Sequence, residues 1–218
     1  MSPLHHYVAR QPIFDADFEM VGVELLYRDA PDATTADTPV PLDPDEMTVR
    51  ALSAAEAIGW DRVTGGGDLW VNGHYGLIKG EIPVPYPASR TVVEVLETVE
   101  PTLDVIDGMV AHAFGGRRIA LDDFVFGQHA DRLLDVATAV KLDLTLFGPV
   151  AFAHRVLQCK TAHLQVVAEK IETESELDFC RALGCDYFQG YALARPETLS
   201  VPGVPAAATC TTISQAGK

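Results

Sequence analysis

The chain predicts an α/β fold, a (β/α)8 TIM-like barrel with an antiparallel early strand. Three observations carry that prediction. Short β-like runs alternate with amphipathic helical runs along most of the 218 residues. The first two strand-like runs are joined by too few residues for a crossover, so they must pair antiparallel. No Gly-rich GxGxxG turn follows the first strand, which weighs against an open doubly wound sheet.

Residues 7–14, YVARQPIF, and 20–27, MVGVELLY, read as the antiparallel pair around the turn-rich DADFE. The stretch 29–46 is polar and rich in Pro, Asp and Thr, and reads as a loop. The Asp-Pro-Asp near its end supplies capping and charge for a helix over 46–60. Strands follow at 68–72, 91–97, 118–124, 139–144, 163–169 and 186–191. Helical stretches at about 102–114, 129–138, 148–159 and 174–183 lie between them. The Pro-broken connection 74–90 has no long helix. Residues 1–200 form one barrel domain on this reading. Residues 201–218, small, polar and Pro-containing, form a linker-like tail, either a frayed end or a tether.

Composition narrows the function classes. The chain is 48% hydrophobic and 22% charged, the balance of a folded soluble domain. Lys plus Arg number 16 against 31 Asp plus Glu, for a formal charge of −15. Such a surface is no general match for DNA or an anionic membrane. An anionic substrate would need local Lys or Arg, or a bridging cation. No run approaches the ~18 apolar residues of a membrane span, and MSPLHHYVAR lacks the features of a secretory signal. Cys159, Cys180, Cys185 and Cys210 show no CxxC pairing or zinc-finger spacing, so they read as reduced thiols of a cytoplasmic protein.

Polar residues recur where apolar periodicity would not place them. They are Glu24, Arg28, Asn72, Glu94, Glu97, Asp122, Asp123, Lys141, Asp143, Glu169 and Gln189, each within or at the end of a strand-like run. A carboxylate inside a Val-rich strand is costly unless paired or bound to a cation. Any single case has a plain explanation: Asp122-Asp123 alone is a turn, and Glu94 alone is an interior ion pair with Lys141. Recurrence weakens that explanation, because the C-terminal strand ends of such a barrel converge on one mouth. Glu24, Glu94, Asp122, Asp123 and Glu169 would crowd there, with Lys141 and Arg28 as counter-charges. Oxygen ligands plus Asn suit Mg²⁺, Mn²⁺ or Ca²⁺ rather than zinc. Two adjacent aspartates allow one carboxylate to bridge two ions, the arrangement for metal-assisted phosphoester cleavage. His5-His6 near the terminus is a weak metal motif, and neither His112 nor any G-x-S-x-G supports a serine hydrolase.

Over residues 7–197 the chain resembles the EAL domain family of bacterial cyclic-di-GMP signalling proteins. Glu24-Leu25-Leu26-Tyr27-Arg28 is similar to the name-giving EAL-x-R, and Gln11-Pro12-Ile13 to the family's Q-P-I. Asn72 matches the strand asparagine, Glu94 to Glu97 the E-x-x-E, and Asp122-Asp123-Phe124 the DDF motif. Lys141-Leu142-Asp143 resembles K-I-D, Ala168-Glu169 with Glu172-Thr173 resembles A-E-G-V-E-T, and Gln189-Gly190-Tyr191 resembles Q-G-Y.

The resemblance implies hydrolysis of one phosphodiester of cyclic-di-GMP to pGpG with Mg²⁺ or Mn²⁺, and Ca²⁺ binding without turnover. It implies that Glu24, Asn72, Glu94 and Asp122 hold one metal, and Asp122, Asp123 and Glu169 the second. Lys141 would orient the attacking water or stabilise charge. Gln189 would support the shell, and Gln11, Arg28, Asp143 and Gln189 would stand on the substrate side. Glu97 and Glu172 would support the loop after DDF.

Two departures shape the functional expectation. Active members continue DDF as G-T-G, where this chain has Val125-Phe126-Gly127, and A-E-G becomes Ala168-Glu169-Lys170. The DDFV form, QPIFD and Glu169-Lys170-Ile171-Glu172 resemble the branch found with HDOD domains. The expectation is therefore a domain that binds divalent metal and cyclic-di-GMP, with slow or absent hydrolysis. The alternatives are a fully active phosphodiesterase and a catalytically dead protein-interaction module. An HDOD or other signalling domain is a candidate partner, homodimerisation a candidate state, and DNA is excluded.

Overall fold

The computed structural model describes residues 7–30, 42–123 and 130–201. It opens with β1 (Tyr7–Phe14) and β2 (Met20–Tyr27), antiparallel as expected, with Gln11 opposite Glu24. Their turn is held by Asp15, whose Oδ1 accepts from the backbone N–H groups of Asp17 and Glu19, both at 2.9 Å. Helix α1 (Pro44–Ile58) starts as the Asp-Pro-Asp motif requires: Pro44 fills the first turn, and the Asp43 carboxylate accepts from the Asp45 N–H. The helix expected over 46–60 breaks at Gly59, whose φ of 102° no helix continues, and α2 (Trp60–Thr64) follows.

The parallel part consists of β3 (Asp68–Gly73), β4 (Thr91–Val95), β5 (Arg118–Leu121), β6 (Ala139–Asp143), β7 (Gln165–Glu169) and β8 (Tyr187–Phe188). Between them run α3 (Tyr75–Ile78), α4 (Leu103–Phe114), α5 (Ala130–Leu134), α6 (Pro149–Thr161) and α7 (Glu174–Ala182). Each strand from β2 to β8 hydrogen-bonds the next, and β1 pairs with both β2 and β8, closing an eight-stranded barrel. β9 (Glu197–Ser200), which the sequence reading did not anticipate, pairs antiparallel with the start of β1 outside the ring.

Several strands are shorter than expected, β4 ending at Val95 rather than at 97, and three of them for evident local reasons. β5 ends at Leu121 rather than at 124 because Asp123 takes a left-handed φ of 44°. β8 is two residues long rather than spanning 186–191, because the chain turns at Gly190 to pack against Ile171. Likewise β7 begins at Gln165, after the left-handed turn at His163.

Two cores hold this arrangement. The larger packs the outer faces of the strands against the helices, through residues such as Leu52, Ile78, Met109, Phe152 and Leu177. The smaller lies inside the barrel, where Ile13, Trp70, Val92, Ala120, Ala139 and Val167 form an apolar floor. Gly22 makes that floor possible, since a Cβ there would lie 2.9 Å from Trp70 Nε1. Cys159, Cys180 and Cys185 are buried free thiols. Among the described residues no helix is long and apolar enough to cross a membrane. The His5-His6 pair, the tail from 202, Cys210 and the segment 124–129 lie outside the described residues.

Candidate metal centre

Strand periodicity builds the site. Side chains two residues apart share a face, so each strand that gives the floor an apolar residue gives the mouth a polar one two positions on. Trp70 is followed by Asn72, Val92 by Glu94, Ala120 by Asp122, Ala139 by Lys141 and Val167 by Glu169. On antiparallel β1 the order reverses, with Ile13 on the floor and Gln11 at the mouth.

At the centre of the mouth stands Lys141, 1% exposed. Its Nζ is 2.6 Å from Glu94 Oε2, 2.8 Å from Glu169 Oε1, 3.1 Å from Glu24 Oε2 and 3.4 Å from Asp122 Oδ1. Glu24 is further fixed by Gln189 Nε2, donating at 2.9 Å, and by Asn72 Nδ2, donating at 3.2 Å. Asp122, Asp123 and Glu169 each offer an oxygen within 4.8 Å of the others. Gln11, Lys170 and Gln189 line the same cleft of about 200 Å³.

One ammonium against this many carboxylates sets their protonation. Burial alone would lower the Lys141 pKa, but Asp122, Glu169, Glu24 and Glu94 together raise it well above the ordinary lysine value. Burial also raises Glu24, yet Lys141 and the hydrogen bonds from Gln189, Lys141 and Asn72 outweigh it, leaving Glu24 below the usual range. Glu94 goes the other way: burial, helped by repulsion from Glu24, holds it well above that range. Burial also takes Glu169 up to about 8 and raises Asp122, in both cases against the pull of Lys141. Asp123 is raised by burial and by the neighbouring Asp122. Without a further cation, protons share with Lys141 the task of neutralising the cluster.

The donor set fits a hard divalent cation. It consists of carboxylate oxygens and one carboxamide, at the convergent ends of rigid strands. Glu94 Oε1, Asp123 Oδ1 and Gln189 Oε1 are buried without a hydrogen-bond partner, and a cation at the mouth would satisfy the two carboxylate oxygens by coordination.

The other residues singled out from the sequence are placed as follows. Arg28 is buried, donates to the Tyr27 carbonyl at 2.7 Å, and lines an adjoining cleft with Asn72 and Leu96. Asp143 is buried, with Oδ1 accepting from Thr145 N at 2.7 Å and Thr145 Oγ1 at 2.6 Å, and Oδ2 from the Lys170 ammonium. Glu97 is exposed but interacts electrostatically with Asp122 and Asp123. Glu172 is exposed too; its backbone N–H donates to Glu176, whose carboxylate also closes the capping box at the start of α7. His112 is on α4, its Nε2 2.8 Å from the Leu77 carbonyl. The Thr145–Asp143–Lys170 chain was missed by sequence reasoning. Its local half was legible as an Asp-x-Thr turn, whereas the reach of Lys170 from the end of β7 depends on tertiary packing.

Known proteins place this geometry in context. The chain is 32% identical over 198 residues to the cyclic di-GMP phosphodiesterase CdgJ of Vibrio cholerae, covering 88% of this chain and 45% of that protein. It spans about half the length of the curated relatives it matches. Among solved structures, the PaMucR phosphodiesterase in complex with c-di-GMP superposes with a TM-score of 0.71 at 22% identity, over 88% of this chain and 92% of that one. The Bacillus subtilis YkuI protein, an EAL-domain protein in complex with c-di-GMP and calcium, gives 0.68 at 20% identity, over 91% and 57%. The sequence pattern of the EAL domain matches residues 84–196. With more than half of its length under that pattern and the same barrel around its mouth, the chain belongs to the EAL domain family.

Proposed function

We propose that this domain binds a divalent metal and cyclic-di-GMP at the barrel mouth and hydrolyses the dinucleotide slowly or not at all. The observation that carries the reading is the buried cluster of Glu24, Glu94, Asp122 and Glu169 around Lys141, with Glu94 Oε1 left unpartnered. Glu24, Asn72, Glu94 and Asp122 would hold one Mg²⁺ or Mn²⁺, and Asp122, Asp123 and Glu169 a second, with Ca²⁺ supporting binding without turnover. Such ions supply Lewis-acid polarisation of a phosphoryl oxygen and lower the pKa of bound water.

The chain's own residues do the rest. Lys141 keeps the carboxylates gathered before loading and offers its charge to an anionic phosphate. Glu169 and Glu94 release protons on loading. Gln11, beside Glu24 on the adjacent strand of the cleft wall, offers a carboxamide to the ligand, Gln189 steadies Glu24, and Arg28 supplies a cation from the adjoining cleft. Asp143 can face the ligand only after parting from Lys170. Slow turnover is supported by Val125-Phe126 after Asp123, where Glu97 and Glu172 would brace the loop, and by Lys170 beside Asp123. We also assign residues 1–200 to the barrel domain and place the chain in the cytoplasm. The QPIFD, DDFV and EKIE segments favour a partner of the HDOD type, and a homodimer is a candidate state.

Incubation with Mg²⁺ or Mn²⁺ and chromatography for pGpG tests this reading. Turnover is expected to be slow or absent, and grafting Gly-Thr-Gly at 125–127 is expected to raise it. Vigorous turnover in the unaltered chain would instead establish the second reading, a full phosphodiesterase. That reading is favoured by retention of every proposed ligand and by the likeness to CdgJ. In either case Glu24→Ala is expected to abolish any hydrolysis and weaken metal binding by about 100-fold while leaving the fold intact. Surviving activity would mean the site lies elsewhere.

A further inference from the structure

Lys170 follows Glu169 directly and has a φ of 56°, a left-handed conformation uncommon for lysine. The turn is clamped by the segment that follows β8. Ile171 N donates to the Gln189 carbonyl at 3.2 Å, and Ala192 N donates to the Ile171 carbonyl at 3.0 Å. Gly190 comes so close that a Cβ there would lie 2.2 Å from Ile171 O. The root of the Lys170 side chain is therefore fixed at the edge of the mouth.

Its ammonium pairs with Asp143 Oδ2, although the Lys170 side chain is 58% exposed and the Asp143 side chain fully buried. The other Asp143 oxygen is already held by Thr145 through its N–H and its hydroxyl. The same ammonium interacts electrostatically with Asp123 and Glu169. The mouth thus has two halves that share Asp122. Around Glu24, Asn72 and Glu94 the resident cation is Lys141, deeply buried and central. Around Asp123 and Glu169, where Lys141 also reaches Glu169 Oε1 at 2.8 Å, Lys170 adds a second positive charge from the rim of the same cleft.

We propose that Lys170 is a tethered counter-cation standing in for a divalent ion at the Asp122–Asp123–Glu169 half, so that each chain binds one divalent ion tightly and a second only weakly. This rests on the metal-binding reading above. An ion among those three carboxylates lies beside a like charge carried on the residue that follows one of its ligands. It must also share its ligands' negative potential with that charge. A neighbouring charge in a partly desolvated site shifts a proton's affinity by about ten- to a thousandfold, and a divalent ion is subject to the same repulsion.

The test is calorimetric titration of the full chain with Mn²⁺ alone, comparing the wild type with Lys170→Gly, Lys170→Met and Lys170→Arg. Glycine accepts the left-handed backbone, methionine keeps the side-chain length without charge, and arginine keeps the charge. One ion per chain is expected for the wild type and Lys170→Arg, and two for Lys170→Gly and Lys170→Met, whose second-site affinity rises at least about tenfold. Two ions in the wild type, two in Lys170→Arg, or no gain in the glycine and methionine variants would overturn the proposal while leaving the metal centre standing. No ion in any of the four proteins would overturn the metal-binding reading itself, and this inference with it.

Discussion

The floor and the mouth of the barrel are built by the same strands, two residues apart, yet they are chemically opposite. The floor is Ile13, Trp70, Val92, Ala120, Ala139 and Val167, with Trp70 filling the space that Gly22 leaves and meeting Tyr187 edge to face at 6.1 Å. The mouth carries Gln11, Asn72, Glu94, Asp122, Lys141 and Glu169 on those strands, joined by Glu24 from β2. Backbone geometry is shared, so the difference lies in the side chains alone. The floor stabilises by removing apolar surface from water. The mouth concentrates carboxylates that Lys141, even with Lys170 at the rim, does not neutralise, and protons fill the gap. A protein that sought stability alone would have continued the floor upward, since hydrophobic replacement of a buried ion cluster is often neutral or stabilising.

The comparison is broken most forcefully by single truncations in each layer. Trp70→Ala is expected to cost about 3–5 kcal/mol of unfolding free energy in urea denaturation, with the affinity of the remaining folded protein for Mn²⁺ unchanged. Lys141→Met is expected to cost about 3–5 kcal/mol in the absence of metal, because it strands buried carboxylates; added Ca²⁺ should restore most of that loss. A Lys141 variant as stable as the wild type would show that the cluster does not depend on its ammonium.

Glu94→Gln sharpens the contrast with a smaller change in stability. Burial already favours the uncharged form of Glu94, so the variant is expected to stay within about 1 kcal/mol of the wild type while losing at least tenfold in metal affinity. Equal affinity would remove Glu94 from the ligand set.

The smallest expected effect is a dependence on pH. Glu169 titrates near 8 in the fold against an ordinary 4.5. Folding therefore takes up a proton between those values. The associated stability is fully present below 4.5 and is lost as pH rises through about 8. Glu24, with its lowered pKa, acts in the opposite sense, its contribution being lost only as pH falls below 4.5. Melting temperatures at pH 6 and pH 8.5 should show the metal-free protein weaker at the higher pH, and Ca²⁺ should stabilise it more there. A melting temperature independent of pH in EDTA would contradict the assignment of Glu169.

Much of this was legible in the chain because barrel strands write their floor and mouth in a two-residue code. Val92-Val93-Glu94 and Val166-Val167-Ala168-Glu169 each state a strand, a buried face and a polar residue where a strand should be apolar. The antiparallel start was legible from the short turn after Phe14. Less legible was β9, whose four residues carry no alternation strong enough to announce a strand and are held only by pairing with β1. The truncation of β8 was hidden because it depends on how closely Gly190 meets Ile171. At the site, the convergence of Glu24, Glu94, Asp122 and Glu169 followed from barrel topology. The central position of Lys141 among all four, and the reach of Lys170 to Asp143, are set by side-chain packing across strands, which no local pattern records.

The central claim is that the mouth is a metal-dependent seat for cyclic-di-GMP. Calorimetric titration of the dinucleotide in Ca²⁺ and again in EDTA tests it most directly. Saturable binding in Ca²⁺ that weakens at least tenfold in EDTA is the predicted result; no binding in either condition, or equal binding in both, would contradict it.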